Sequence, residues 1–143
     1  MTRHALPEGP EPSVDEPDAP WPSRPPAVEL AAALLIVGGV ISVLSAVSSI
    51  PSLPQGTGPI FALTIALAIG SIVVGLLVRI GRFWLVAVNY AAVLGFLDLL
   101  GAGASPLALM LGLADIVVVV ILFANKPWFD AMRARRAGEP ISP

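Results

Sequence analysis

The sequence has no cysteine and a single histidine, His4, close to its amino terminus. Without cysteine there is no disulfide framework, no thiol nucleophile and no cysteine-ligated metal. His4 lies in a polar segment, which excludes a histidine metal site or a Ser-His triad among the apolar residues. A glycine-rich phosphate loop and a basic patch of the kind that binds nucleic acid are also missing. We therefore expect no cofactor, no nucleic-acid partner and no enzymatic activity.

Charged residues are scarce and unevenly distributed. They make up 13% of the 143 residues, about half the fraction typical of soluble domains, whereas hydrophobic residues make up 56%. Thirteen of the eighteen charges lie in residues 1–26 and 126–143. The residues between these ends hold only five, namely Glu29, Arg79, Arg82, Asp98 and Asp115. Because so few charges cannot cover a water-facing surface, the composition argues against a soluble globular fold and indicates an integral membrane protein.

The two ends of the sequence differ in character. Residues 1–26 contain eight of the fifteen prolines and five acids, so we predict a disordered, acidic, proline-rich cytoplasmic tail. Residues 126–143 form a basic tail, in which Pro127–Ala137 is predicted to be a short helix ended by Gly138. Its aromatic side and its arginines suit a helix on the inner membrane leaflet, although a basic stop signal that fixes the topology is the favoured explanation of the arginines.

Four apolar runs separate these tails, at residues 28–48, 60–78, 83–100 and 107–124. Each is close to the length of about 20 residues that a helix needs to cross a bilayer. Backbone groups in hydrocarbon must be satisfied internally, which favours helices over isolated strands. The short connections force consecutive helices to lie antiparallel. The predicted fold is therefore an all-α membrane protein, a four-transmembrane-helix antiparallel bundle occupying residues 27–125.

Basic residues predict the orientation of this bundle. The loops at residues 51–59 and 101–106 contain none, whereas the second connection and the carboxyl-terminal tail contain six. Basic loops remain in the cytoplasm, so we expect a multi-pass protein of the cell membrane with both termini cytoplasmic. Trp21, Trp84 and Trp128 would all lie at the inner interface, which agrees with this orientation. The predicted topology determinants are Arg79, Arg82, Lys126, Arg133, Arg135 and Arg136.

Stripes of small residues predict where the helices pack, because lipid gives little hydrophobic drive for helix association. The predicted stripe of the first helix runs from Ala31 through Gly38 and Ser42 to Ser49. The second helix has two stripes, one through Gly70 and one through Ser71 and Gly75. The remaining helices have one each: Ala87, Ala91 and Gly95 on the third, and Ala108 and Gly112 on the fourth.

Two acids within the apolar runs are the candidate polar site. Helical spacing puts Asp98 and Asp115 on the small-residue stripes, facing the bundle interior. Asp115 is expected near the bilayer centre, where an aspartate costs about 3 kcal/mol on insertion scales, so we expect it to be protonated and hydrogen-bonded. Counting from the helix ends separates the two acids by roughly 9 Å along the bundle, too far for a dyad. The candidate hydrogen-bond partners are Ser42 and Ser71 for Asp115, and Ser45 and Thr64 for Asp98.

Two roles for these acids remain open from the sequence. They are either a proton or cation path from the outer face, or neutral carboxyls that stabilise helix packing. The expected function is a non-enzymatic scaffold or accessory subunit, and the alternative is a small transporter or channel that uses Asp115. The expected partners are membrane lipid and either another membrane protein or a second copy of the chain.

Three segments resemble a group of small, uncharacterised four-helix membrane proteins of high-GC bacteria. They are the run from Pro25 to Gly39, the G-R-x-W-x-x-A-x-N segment from Gly81 to Asn89, and the K-P-W-F-D segment from Lys126 to Asp130. The resemblance implies the four-helix architecture. It implies no activity and no site residues.

Overall fold

The computed structural model describes residues 22–52, 54–103 and 105–137. Within these ranges the chain is helical and has no strand, which confirms the all-α prediction. The helices are α1 (Pro26–Ser49), α2 (Gly58–Arg79), α3 (Trp84–Gly101), α4 (Pro106–Ala124) and α5 (Lys126–Ala137), with a short 3-10 turn at Ile50–Ser52. Most of the predicted tail at 1–26, together with Trp21 and Gly138, lies outside the described residues.

Helices α1 to α4 are each long and apolar enough to cross a membrane. Their bounds agree with the predicted runs to within two residues. Proline in the first turn begins three of them, since a proline there loses no hydrogen bond that the helix would otherwise make. Helix α3 begins one residue later than predicted, because Phe83 has a left-handed backbone with φ of 54°. Together with Gly81, at φ of 66°, Phe83 turns the chain sharply between α2 and α3.

Close backbone approach joins α1 to α2. A Cβ atom on Gly39 would lie 2.6 Å from the carbonyl oxygen of Ala68. A Cβ atom on Gly75 would lie 3.0 Å from the carbonyl oxygen of Ala32. The predicted stripe through Ser71 and Gly75 is therefore a real contact face, but on α1 the face toward α2 lies beside the predicted stripe. Gly39, not Gly38, makes the tight contact, because the face of α1 toward α2 runs through the buried residues Ala32, Leu35 and Gly39.

Helices α3 and α4 pack through glycines in the same way. A Cβ atom on Gly95 would lie 3.1 Å from the Cβ atom of Asp115, and one on Gly112 would lie 2.9 Å from Cγ of Leu99. Nearer the connecting turn, a Cβ atom on Gly101 would lie 3.5 Å from Cβ of Ala108. The stripes predicted on α3 and α4 therefore face each other.

The buried apolar core occupies one half of the helix assembly. It lies where α1 and α3 begin and where α2 and α4 end, and we call this half the α5 end. Phe129 of α5 is 2% exposed and belongs to the same cluster as the helix residues. The helices contribute Val28, Ala31, Ala32, Leu35, Val74, Val78, Ala87, Val88, Ala91, Val118 and Leu122.

Helix α5 is held against the turn between α2 and α3. The Arg136 guanidinium donates hydrogen bonds to the carbonyl oxygens of Gly81, at 2.8 Å, and of Ile80. Gly81 also lies against the side chains of Trp128 and Met132, which leave no room for a side chain there. The positions 128, 132 and 136 recur every four residues, so one side of α5 makes this whole contact.

Candidate functional site

A cavity of about 350 Å³ lies among α1, α2, α3 and α4, in the half of the assembly away from α5. All four helices contribute to its wall, which is mostly apolar. Five of the six polar residues that the sequence predicts for the site line it together: Asp98, Asp115, Ser42, Ser71 and Thr64. The sixth, Ser45, is not among the lining residues. Tertiary packing thus brings residues from four separate helices to one site.

The floor of the cavity is the edge of the apolar core. On each helix, a buried apolar residue lies within about one turn of the lining residue nearest α5, on its α5 side. Ala32 is 1% exposed, Val74 is 7% exposed, and Ala91 and Val118 are fully buried. No lining residue lies closer to α5 than Leu34, Ser71, Leu94 and Asp115, one from each helix. The cavity is therefore closed toward α5 and reaches only the opposite half of the helices.

Asp115 lies at this floor. Its Cβ atom faces Gly95 of α3, and Val118, one turn further along α4, is fully buried in the core. Asp115 itself is only half-buried, because its carboxyl group borders the cavity. The absence of a side chain at Gly95 is what allows α3 and α4 to approach at this level.

Asp98 lies closer to Asp115 along the helices than the sequence predicts. Gly95 is level with Asp115, and Asp98 follows Gly95 by three residues, which is about 4.5 Å along the axis. Counting from the helix ends gives roughly 9 Å instead. The two values differ because counting from the helix ends assumes that α4 starts level with the end of α3. Leu99, near the end of α3, packs on Gly112, which is more than one turn inside α4. Helix α4 therefore starts beyond the level at which α3 ends.

Two of the four predicted hydroxyl partners, Ser71 and Thr64, donate hydrogen bonds to backbone carbonyls instead of to the acids. Ser71 is 4% exposed and donates to the carbonyl oxygen of Leu35 at 2.8 Å, linking α2 to α1. Thr64 donates to the carbonyl oxygen of Ile60 in its own helix at 3.0 Å. In the described part of the chain, Asp98 and Asp115 have neither a hydrogen bond nor an ion pair. Each hydroxyl oxygen retains a lone pair that can still accept a hydrogen bond from a protonated carboxyl group.

The chemistry of the cavity is that of two carboxyl groups without a basic neighbour. Among the described residues, no arginine, lysine or histidine lines it. The described residues also contain no group of three or more acids and histidines that could hold a metal ion. Two carboxyl groups and three hydroxyls in an otherwise apolar wall offer acceptors to a proton or to a single positive charge.

Several features of the fold were not predicted from the sequence. Tyr90 of α3 donates a hydrogen bond to the carbonyl oxygen of Leu67 and packs on Gly70, so that glycine contacts an aromatic ring. The indole nitrogen of Trp84 donates to the carbonyl oxygen of Leu122 at 2.8 Å. Such pairs join residues 23 and 38 positions apart, and nothing in the local sequence pattern indicates them.

The six predicted topology determinants all lie on α5 or in the last turn of α2 and the turn that follows it. Arg79 forms an ion pair with Glu29 at 2.8 Å, and Glu29 also pairs with Arg24 at 2.6 Å. These cations are remote from the cavity, so they do not neutralise its two carboxyl groups.

The chain matches no protein-family model, no curated protein and no solved structure. The resemblance to small four-helix membrane proteins of high-GC bacteria therefore stays a prediction. The function has to be argued from the site itself.

Proposed function

We propose that this is an integral membrane protein whose acid-lined cavity binds a proton or a small cation for transport. The observation that carries the proposal is the convergence of Asp98 and Asp115 in one cavity that has no basic residue in its wall. Acids within membrane helices are costly in hydrocarbon and characteristically serve ion or proton pathways. A purely structural carboxyl would be expected to have a hydrogen-bond partner, and neither acid has one among the described residues.

We further propose that the four helices form an antiparallel membrane bundle. Residue numbers rise along α1 while those of its contacts fall along α2: Ala32 meets Gly75, and Gly39 meets Ala68. The exposed surface supports insertion, since at most 28% of the apolar window of each helix is buried. Both termini are proposed to be cytoplasmic because the basic residues cluster at the α5 end. Reporter fusions at each terminus test this orientation, and an external signal from either one would contradict it.

The closed floor of the cavity allows access to the two acids from one side only. A core of buried apolar residues separates Asp115 from α5, so the described conformation is a one-sided binding cavity and not a continuous pore. Transport through such a protein requires the core between Leu35 and Phe129 to open while the cavity mouth closes. In the proposed orientation, the cavity faces the outer side of the membrane.

The test compares ion flux through liposomes that contain wild-type protein, Asp115→Asn or Asp98→Asn. We expect protein-dependent proton or monovalent cation flux, reduced at least tenfold by Asp115→Asn, because the amide cannot release a proton or carry a charge. Asp130→Asn is the matched control, since Asp130 is an acid on α5 that already pairs with Lys126 at 2.6 Å. Equal flux in wild type and Asp115→Asn would overturn the transport proposal.

A scaffold or accessory subunit is the second candidate function, and one observation favours it. Asn89 is exposed in an apolar groove formed by α2 and α3, where its amide donates only to Leu85 of its own helix, at 2.7 Å. Polar side chains on a lipid-facing surface commonly bond to another helix. Loss of a co-purifying membrane protein on Asn89→Leu, with no flux from the wild-type protein, would favour this role over transport.

A further inference from the structure

The cations at the α5 end fall into two groups. Most already have partners: Arg24 and Arg79 pair with Glu29, Lys126 pairs with Asp130, and Arg136 donates to backbone carbonyls. Arg135 also has an interaction partner. The side chains of Arg82 and Arg133 are exposed and, within the described residues, form neither an ion pair nor a hydrogen bond. Two guanidinium groups at this end thus have no counter-charge among the residues that the structure describes.

The docking of α5 places the backbone of each of these two arginines next to a residue of one contact. Arg82 directly follows Gly81, the residue on which Trp128 and Met132 pack. Arg133 directly follows Met132, and Arg136, one turn later, holds the Gly81 carbonyl. The fold therefore brings together two segments, the α2–α3 turn and α5, each of which carries an arginine that is unpaired among the described residues, and these arginines are 51 residues apart in sequence.

We propose that Arg82 and Arg133 bind the phosphate of an anionic phospholipid headgroup. Guanidinium groups match phosphate oxygens in geometry and charge. The position favours a lipid over a soluble anion, because four membrane-length apolar helices begin or end at this level. Trp84 and Lys126 also lie here, with the ammonium group 5.6 Å from the indole ring centre, an arrangement typical of the interface between headgroups and acyl chains. The inference rests on the proposed membrane insertion but not on the acidic cavity.

The experiment measures lipid binding by the full chain in detergent, using native mass spectrometry with phosphatidylglycerol or phosphatidylcholine. We expect phosphatidylglycerol to be retained in preference to phosphatidylcholine. Each basic residue near an anionic lipid surface contributes about fivefold, so Arg82→Gln with Arg133→Gln should weaken phosphatidylglycerol binding about thirtyfold. Both side chains are exposed, so the double variant should retain its thermal stability.

The matched control is Arg24→Gln with Lys126→Gln, which removes the same charge from arginine and lysine residues that already have acidic partners. An equal loss of phosphatidylglycerol binding in this control would overturn the proposal, because the effect would then be one of general charge. Displacement of the lipid by inorganic phosphate would also overturn it, since the site would then recognise free phosphate.

A third arm tests the acidic amino-terminal segment as the occupant. Replacing its five acids with amides should leave phosphatidylglycerol binding unchanged. A large increase in binding would show that this segment occupies the arginines and would overturn the lipid proposal. Cation flux through Asp115 is measured separately, so failure of the lipid site and failure of the transport proposal are distinguishable. The five acids are Glu8, Glu11, Asp15, Glu16 and Asp18.

Discussion

Gly95 and Asp115 meet across the α3–α4 interface so closely that a Cβ atom on Gly95 would lie 3.1 Å from the Cβ atom of Asp115. That separation is tighter than nine in ten real Cβ contacts. The glycine therefore determines how near α3 comes to α4 at the floor of the cavity. It also determines where the Asp115 carboxyl lies relative to the apolar core.

Gly95→Ala is expected to displace Asp115 and to loosen the α3–α4 contact. Overpacking of this kind typically costs about 1–3 kcal/mol, although the better helix propensity of alanine offsets up to about 1 kcal/mol. Thermal unfolding in detergent measures the stability, and liposome flux measures the effect on Asp115. Gly101→Ala is the control in the same interface, because its new Cβ atom would lie an ordinary 3.5 Å from Ala108. Equal behaviour of the two variants would contradict the role assigned to Gly95.

Gly39→Ala and Gly38→Ala should differ in the sign of their effect on stability. At Gly39 the added Cβ atom would lie 2.6 Å from the carbonyl oxygen of Ala68, a backbone atom that moves only if α1 and α2 separate. At Gly38 the nearest atom would be Leu111 Cδ2 at 3.6 Å. We expect Gly39→Ala to destabilise by at least about 1 kcal/mol and Gly38→Ala to be neutral or stabilising. Unfolding in detergent ranks the pair, and the reverse order would refute the packing of α1 on α2.

Ser71→Ala removes the hydroxyl that links α2 to the Leu35 carbonyl. A buried hydrogen bond of this kind contributes about 1 kcal/mol, so a loss of that size in unfolding free energy is expected. Thr64→Val is the control, because its hydroxyl bonds only within its own helix and should have a smaller effect on stability. If Ser71 instead serves Asp115, Ser71→Ala will reduce ion flux without a comparable change in stability.

Two tryptophans at the α5 end should respond differently to replacement by phenylalanine. Trp84 donates its indole N–H to the Leu122 carbonyl, whereas the buried indole nitrogen of Trp128 has no partner among the described residues. Both variants lose ring area, but only Trp84→Phe loses a hydrogen bond, and Trp128→Phe removes an unsatisfied donor. We expect Trp84→Phe to be the less stable by about 1–2 kcal/mol in thermal unfolding. A greater loss for Trp128→Phe would show that its N–H has an acceptor outside the described residues.

Much of the candidate site was accessible from helical periodicity alone. Small residues and acids on the same stripe predicted that Asp98 and Asp115 face the bundle interior, and in the structure both line one cavity with Ser42, Ser71 and Thr64. The hydrogen bonds were not accessible in this way. A hydroxyl such as that of Ser71 can reach a backbone carbonyl of the neighbouring helix as well as a carboxyl group. Periodicity does not indicate which of these two acceptors it bonds to.

The register between helices could not be predicted from the sequence either. Counting residues from the ends of the apolar runs assumes that paired helices end at one level, and α3 and α4 do not. The one-residue difference between Gly38 and Gly39 has a related origin. Both are glycines on one helix, and only the position of Ala68 on α2 decides which of them is buried.

The sequence by itself determined that the chain has four long apolar helices, because composition, helix breakers and run length are local properties of the sequence. Tertiary structure decided where the empty space lies. Large apolar residues fill the α5 end, including Phe129 from a helix outside the four, and the opposite half is left with a cavity at Asp115. Packing volume depends on which side chains from distant segments meet, and no local pattern contains that information.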